Sequence, residues 1–318
     1  MKRGMAKATS KKVSKSGSSK EKKWVLAVDP FSDLDQGAMI EFAQKLAGKA
    51  GAQLLGAYAL APESLNWMGE FSGPWLKKYE PLAKQNLDAR LAGKGIPHEV
   101  VKVSKAGLRA AVQGFLSYAK KQKADCIVVA THARTGLERW AMGSFSETVV
   151  LSAPSSVLVL HPSQSLPSDV RTILMPTDLS KKSVQHVLTS AKSFQKLSPK
   201  IELYYKLPDP LDPLVQQGVY TLGGGWVNVH SYLDKELTSK RKELEALAGK
   251  VRALGLECRV NADNGEGSLI DGIHKAVKDT GADLISLRTE TGRVAAVVVG
   301  SVARILMRTA TVPVWIHR

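Results

Sequence analysis

The feature that most constrains this sequence is an internal repeat. Each half begins with a short apolar run that ends in Asp, at Trp24–Asp29 and at Thr172–Asp178, and a serine then precedes a helical pattern. Further along, each half has an apolar run after Ala-Asp, a Gly-Ser pair and a last apolar run that closely follows a proline. The same signals recur in the same order about 150–158 residues apart, so the chain is most simply two copies of one unit.

Within each copy, runs of strand length alternate with segments of helical period. Strands are predicted at 24–29, 52–59, 97–103, 125–130 and 156–160, and again at 172–177, 200–206, 257–262, 282–287 and 312–316. Helices are predicted at 33–49, 72–93, 106–122 and 143–152, and again at 181–196, 229–254, 268–279 and 300–309. This alternation is typical of parallel strands joined by right-handed crossovers. We therefore predict an α/β chain with two tandem, doubly wound, parallel five-stranded sheets.

Charge and composition add a third segment. The chain of 318 residues has a net charge of +16, and residues 1–23 carry nine Lys or Arg against one acid. This segment has too few large apolar residues to offset the entropy of ordering, so we predict a disordered basic tail at 1–23. The predicted boundaries are then a first domain at 24–162, a linker at 163–170 and a second domain at 171–318.

Open α/β sheets bind ligands beyond the carboxyl ends of their strands. That rule points to Asp29, Asp178 and the loops after the fourth strands. The loop at 130–144 ends in Gly143-Ser144, which opens a predicted helix. The unpaired N–H groups of such a helix start can receive phosphate oxygens. Equally, Gly143 can permit a turn and Ser144 can cap the helix, and the loop alone does not decide between these interpretations.

The segment THARTGLERWAMGSFSETVVLSAPSSVLVL (Thr131–Leu160) resembles the universal stress protein family, and the resemblance extends over both halves. It implies the fold of the adenine nucleotide alpha hydrolase-like proteins and a stress-response factor that binds ATP or a related adenine nucleotide in its first domain, with Mg²⁺ left open. The first-domain residues that it implies for nucleotide binding are Asp29, Ala57, Ala130, His132, Ala133, Arg134, Gly143, Ser144 and Phe145.

The sequence departs from the family pattern at two loop positions. Members that bind ATP carry glycines where this chain has Ala130 and Ala133. Alanine in a left-handed conformation costs about 1 kcal/mol or more, which weakens binding by about tenfold without abolishing it. His132 and Arg134 can compensate in part with donors or positive charge.

The second half departs further, because its loop is one residue shorter and Arg288 and Glu290 fall at the glycine positions. A carboxylate there repels a triphosphate. We therefore expect a degenerate second domain without ATP, whose remaining candidate residues are Asp178, Arg288, Gly300 and Ser301. A smaller anion at Arg288 or Arg293 is a further hypothesis.

Two other function classes remain as alternatives. One is a nucleotide-free dimeric interaction or scaffold protein, which the Ala130 and Ala133 substitutions favour. The other is a weak ATP-hydrolysing enzyme, but no catalytic base, nucleophile or metal ligand set is identifiable from spacing. The tail lacks the aromatic residues on which bases stack, so nucleic acid is not expected as a partner. No apolar stretch approaches the ~20 residues that span a bilayer, and with no secretory signal pattern we expect a cytoplasmic protein.

The last strand of each copy is an apolar sheet edge, which invites pairing with another strand. Family members commonly dimerise through this strand. The resemblance therefore implies that Val157–Leu160 and Val314–Ile316 pair across an internal pseudo-twofold axis, with a further homodimer left open. The sequence does not identify a protein partner.

Overall fold

The structure, a computed structural model, describes residues 21–62, 72–131, 144–161, 166–207, 229–264, 267–288 and 301–318. The first half has the strands β1 (Lys22–Ala27), β2 (Ala52–Leu60), β3 (His98–Lys102), β4 (Cys126–Ala130) and β5 (Ser156–Leu160). Its helices are α1 (Gly37–Lys49), α2 (Ser72–Leu91), α3 (Leu108–Gln122) and α4 (Ser144–Ser152). Of the predicted tail, residues 1–20 lie outside the described residues, whereas Lys22 and Lys23 are the first residues of β1.

The second half repeats this order. Its strands are β6 (Thr172–Pro176), β7 (Lys200–Lys206), β8 (Cys258–Asp263), β9 (Leu284–Arg288) and β10 (Val314–His317). Its helices are α5 (Lys181–Phe194), α6 (Val229–Arg252), α7 (Leu269–Thr280) and α8 (Ser301–Thr309). The predicted alternation of strands and helices is therefore confirmed in the described parts of both halves, and strand boundaries agree to within about two residues.

The ten strands form one sheet in the order β3-β2-β1-β4-β5-β10-β9-β6-β7-β8. Within each half all pairings are parallel, as predicted. The halves meet where β5 and β10 pair antiparallel, with Val157, Leu158 and Val159 opposite Ile316, Trp315 and Val314. Because β5 and β10 pair with each other, neither is left as an unpaired apolar edge strand. Since this pairing is antiparallel, the strands of the two halves run in opposite directions, and their carboxyl ends lie on opposite sides of the sheet.

Helices cover both faces of the sheet. The first face packs against α1, α2, α5 and α6, through side chains such as Ile40, Leu87, Val187 and Leu247. The second face packs against α3, α4, α7 and α8. Because both faces are covered, β5 is buried along its whole length, which explains its continuous apolar sequence.

Aromatic contacts join the two halves on the first face. The indole rings of Trp24 and Trp315 lie 5.3 Å apart between centroids, and Phe194 meets Trp315 edge-on at 5.2 Å. At the end of α1, Lys49 forms an ion pair with Asp169, which precedes β6. The junction is therefore a continuation of the hydrophobic core as well as of the sheet.

The predicted start of α1 was four residues too early. Helix α1 begins at Gly37 rather than at residue 33, because the Ser32 hydroxyl accepts a hydrogen bond from the Leu34 amide and Asp35 accepts one from Gly37. Such local turns compete with helix formation. In the second half Ser180 caps α5 by accepting from the Ser183 amide. The connection after the first strand is consequently nine residues long in the first half and four in the second.

Candidate functional site

Asp29 lies just beyond the carboxyl end of β1 and begins a compact turn. Its Oδ1 accepts a hydrogen bond of 3.0 Å from the Phe31 amide, and its carbonyl oxygen accepts one of 3.0 Å from the Gln36 side chain. Arg90 of α2 donates to the carbonyl oxygens of Ser32 at 2.6 Å and Leu34 at 3.5 Å. The connection that carries Asp29 is therefore held by Gln36 at its own end and by Arg90 from α2.

A cleft of about 550 Å³ opens beside Asp29, between the ends of β1 and β2 and the starts of α1 and α3. This volume lies within the range of small-molecule sites. Much of its wall consists of small side chains, the alanines Ala27, Ala57, Ala59, Ala61, Ala111 and Ala130. Its polar side chains include Asp29, Ser32, Gln36, Thr131 and Ser146. The cleft is thus a mainly apolar slot with oxygen-bearing groups at its walls.

Three of the residues expected at the nucleotide site line this cleft together with Asp29. Ala57 of β2 is fully buried, Ala130 ends β4, and Phe145 lies in the first turn of α4. The Ala130 carbonyl accepts a hydrogen bond of 2.6 Å from the Ser146 hydroxyl, which ties α4 to the strand end. The Phe145 ring packs edge-on against Phe115 at 5.7 Å.

The remaining first-half candidates lie mostly outside the described residues. His132, Ala133, Arg134 and Gly143 fall in the segment 132–143. Ser144 is the first residue of α4, and its side chain is also outside the described part. Their expected contacts with a ligand therefore stay predictions.

In the second half, Tyr204 stands where Ala57 stands in the first. The Val28 amide donates to the Ala57 carbonyl at 3.0 Å, and the Thr177 amide donates to the Tyr204 carbonyl at 2.9 Å, so the two positions are structurally equivalent. Tyr204 is only 1% exposed, and its hydroxyl donates a hydrogen bond of 2.7 Å to Asp263. Burial and this carboxylate raise the pKa of Tyr204 above its usual range, so it stays a neutral donor.

Two positions close to Tyr204 also differ from their counterparts in the first half. Lys206, the counterpart of Ala59, has a side chain only 4% exposed, with its Nζ 3.9 Å from Asp263. Gly272 is the fourth residue of α7, as Ala111 is the fourth of α3. A Cβ at Gly272 would lie 2.1 Å from the Tyr204 hydroxyl oxygen, so only glycine fits there. A packed Tyr–Asp–Lys group therefore occupies the place where the first half has alanines around a cleft.

The other second-half candidates are spread around the opposite edge of the sheet. Partial burial opposes the charge of Asp178, but donors from Ser180 prevail and lower its pKa, and the Ser180 amide lies 2.9 Å from its Oδ1. Arg288 ends β9 and Ser301 is an exposed first residue of α8. Gly300 and Glu290 lie outside the described residues.

The sequence reasoning missed Tyr204, Lys206 and Asp263. The signal was available in a strand-to-strand alignment, because Gly56-Ala57-Tyr58-Ala59 of β2 matches Leu203-Tyr204-Tyr205-Lys206 of β7. The family pattern lies in the loops after the fourth strands, so it does not point to β7.

Metal-ligand clusters and membrane-spanning helices are both absent from the described residues. No group of three or more His, Cys, Asp or Glu side chains in this part of the chain could hold a metal ion. No helix among these residues is long and apolar enough to cross a membrane.

The chain was compared with known families, curated proteins and solved structures. It matches the universal stress protein family twice, over residues 21–161 and 169–318. A search of curated proteins found no match to this sequence.

Solved structures resemble the whole chain or one half of it. A universal stress protein from Archaeoglobus fulgidus is 17% identical, with 94% of this chain and 99% of that one covered and a TM-score of 0.62. A universal stress protein from Pseudomonas aeruginosa is 14% identical, with 93% and 92% covered and a TM-score of 0.58. An Archaeoglobus fulgidus universal stress protein in complex with dAMP is 18% identical, with 46% of this chain and 98% of that one covered and a TM-score of 0.33.

Proposed function

The chain belongs to the universal stress protein family, and on that premise we propose that its first half binds ATP or a related adenine nucleotide while its second half binds none. The observation that carries this proposal is the contrast at the end of the second strand of each half. Ala57 borders an open cleft beside Asp29, whereas Tyr204 is packed against Gly272 and bonded to Asp263.

The side chains of the cleft suit the nucleoside part of such a ligand. The alanine walls leave room for a flat heterocycle, and they bury apolar surface when it enters. The Asp29 carboxylate is an acceptor for an amino or hydroxyl group, and Arg90 holds the turn that presents it. The phosphates would extend toward the start of α4, where backbone N–H groups of the first turn are donors.

Binding of a nucleotide would act by population shift. A ligand that binds one conformation of the segment 130–144 stabilises that conformation by mass action. The surface around the cleft would then differ between the bound and free protein, and a protein partner could distinguish the two states. In this proposal the chain acts as a ligand-dependent stress-response factor in the cytoplasm rather than as a high-turnover enzyme.

Isothermal titration of the full-length protein with ATP tests the assignment, with Asp29→Asn and Asp178→Asn as matched variants. We expect one ATP per chain, about tenfold weaker binding in Asp29→Asn, and unchanged binding in Asp178→Asn. Two sites per chain would overturn the assignment for the second half. Equal weakening by both variants would overturn the role of Asp29.

The nucleotide-free scaffold is favoured by Ala130, which stands where family members that bind ATP carry glycine. An absence of binding in the same titration, with and without Mg²⁺, would favour this alternative. Release of inorganic phosphate from ATP at a rate above that of Asp29→Asn would instead favour the weak ATPase. A particle mass of about twice 34.3 kDa by light scattering would show a homodimer beyond the internal pairing.

A further inference from the structure

Three basic side chains of the second half lie together on the first face of the sheet: His186, Arg288 and His317. Arg288 and His317 are register partners at the ends of β9 and β10. His186 projects from α5 toward them, with its ring centroid 5.5 Å from that of His317. We call these three residues the basic cluster.

The first half has apolar residues at all three positions. Ala130 and Leu160 are register partners at the ends of β4 and β5, so they correspond to Arg288 and His317. Met39 corresponds to His186, because each lies twelve residues before the left-handed residue, Gly51 or Ser198, that precedes the next strand. The second half thus differs at every member of the cluster, and each difference adds a hydrogen-bond donor.

His186 is the most buried member, at only 5% exposed. Its Nδ1 lies 3.3 Å from the Ser190 hydroxyl, and its Nε2 has no hydrogen-bond partner among the described residues. Buried polar atoms in native proteins are normally paired with protein, water or a bound ion. When Nδ1 accepts from Ser190, Nε2 carries the proton and is a donor without an acceptor.

Among the described residues, the titratable groups that act on His186 are His317 and Arg288, and neither is acidic. The Arg288 side chain has no hydrogen bond or ion pair within the described ranges of the chain, and the His317 Nδ1 lies 3.4 Å from the Ser156 hydroxyl. Burial, together with the nearby His317 and Arg288, lowers the pKa of His186 to about 3. Burial also lowers the pKa of His317. In the part of the chain that the structure describes, the titratable groups facing His186 are therefore a guanidinium and an imidazole rather than carboxylates.

We propose that the basic cluster binds a small tetrahedral oxyanion, of the size and charge of inorganic phosphate or a terminal phosphoryl group. Arg288 supplies a planar guanidinium, which matches two oxygens of such an anion. His186 donates from Nε2, and His317 supplies a second imidazole from the adjacent strand. An oxyanion provides acceptors for these donors and balances the charge of Arg288, which a water molecule does only in part. This site is separate from the nucleotide cleft, which lies at the opposite edge of the sheet.

Titration of the full-length protein with inorganic phosphate at pH 7, followed by imidazole NMR, tests the site. We expect saturable shifts of the His186 and His317 ring signals, and none of His274, which lies on α7 on the other face of the sheet. Binding of phosphate at the nucleotide cleft would leave the two cluster signals unmoved. In Ala57→Tyr we expect the cluster shifts to persist, so this test succeeds or fails independently of the nucleotide proposal.

Substitutions that introduce the first-half residue types at positions of the basic cluster test the role of each substituted member in phosphate binding. Arg288→Ala should weaken phosphate binding at this site by about tenfold or more, because it removes the charged donor. The control Arg308→Ala, which removes an exposed guanidinium paired with Glu147, should leave it within about twofold. His186→Met should lose the His317 shift while keeping the native fold, since Met39 occupies the same position in α1. Equal shifts of His274 and His186, or wild-type affinity in Arg288→Ala, would overturn the proposal.

Discussion

The two halves of this chain share one fold, but different side chains occupy the equivalent positions near the carboxyl ends of their strands. In the first half, Ala57, Ala59 and Ala111 surround a cleft of about 550 Å³. In the second, Tyr204, Lys206 and Gly272 occupy the same positions and are packed around Asp263. A duplicated α/β unit can therefore lose a ligand cleft through a few side chains while its sheet stays intact, because side chains rather than backbone define the cavity.

The largest expected effect is on stability at Gly272. Gly272→Ala places a methyl group against the Tyr204 hydroxyl and should lower the free energy of unfolding by about 3 kcal/mol. The control is Gly249→Ala on α6, where no atom lies within 4 Å and a gain of up to about 1 kcal/mol is expected. Urea denaturation measures both. Similar behaviour of the two variants would mean that the second half is not tightly packed around Tyr204.

Ala57→Tyr converts the first cleft toward the second. We expect ATP binding to weaken by about 100-fold, roughly 2.7 kcal/mol, because the ring occupies the space of the ligand. Calorimetric titration measures the loss, and an unchanged far-ultraviolet circular dichroism spectrum would show that the fold is intact. Wild-type affinity in Ala57→Tyr would place any bound nucleotide elsewhere.

Acidification should lower the stability of the second half more than that of the first. His186 has a pKa of about 3 in the folded protein, against 6.5 ordinarily, so protons bind the unfolded chain preferentially below pH 6.5. Its contribution to stability is complete above that pH and is lost as the pH falls toward 3. Between pH 7 and 5, in phosphate-free buffer, we expect His186 to account for a loss of about 1–2 kcal/mol.

His186→Met should remove this part of the pH dependence, since Met39 at the equivalent position does not titrate. Denaturation curves at several pH values measure the difference between the variant and the wild type. Parallel stability profiles for the two proteins would contradict the assignment.

The smallest expected effect on stability concerns the serines near the starts of α5 and α1. Ser180→Ala should destabilise by about 1 kcal/mol, because the Ser180 hydroxyl caps α5. Ser32→Ala should cost less than about 0.5 kcal/mol, because Ser32 bonds within a turn and α1 begins five residues later. Chemical denaturation compares the pair, and an equal loss in both would mean that Ser32 also caps a helix in solution.

Much of the fold could be predicted because the repeat appears twice in the sequence. The apolar runs of β4 and β5 and their counterparts β9 and β10 are long enough to identify strands independently. The start of α1 was less predictable. Asp29, Ser32 and Asp35 each bond to an amide two residues ahead, and those local bonds delay the helix where periodicity alone would begin it.

The candidate site was predicted in part. Asp29, Ala57, Ala130 and Phe145 line one cleft, and the family pattern pointed to all four. Tyr204 was missed because its effect on the cleft is visible only when it is compared with Ala57, the equivalent residue of the first half. Of the basic cluster, only Arg288 was predicted as a site residue. His186 and His317 were not, because they lie on a helix and a strand that are distant from Arg288 in sequence.

By itself, the sequence determined the duplication, the order of strands and helices and the family, because these depend on local periodicity and on a pattern repeated along the chain. Only the tertiary structure decided that Ala57 borders an open cleft while Tyr204 fills its counterpart, and that two histidines meet Arg288. Whether a space is empty or filled depends on side chains converging from several elements, and no single stretch of sequence contains that information.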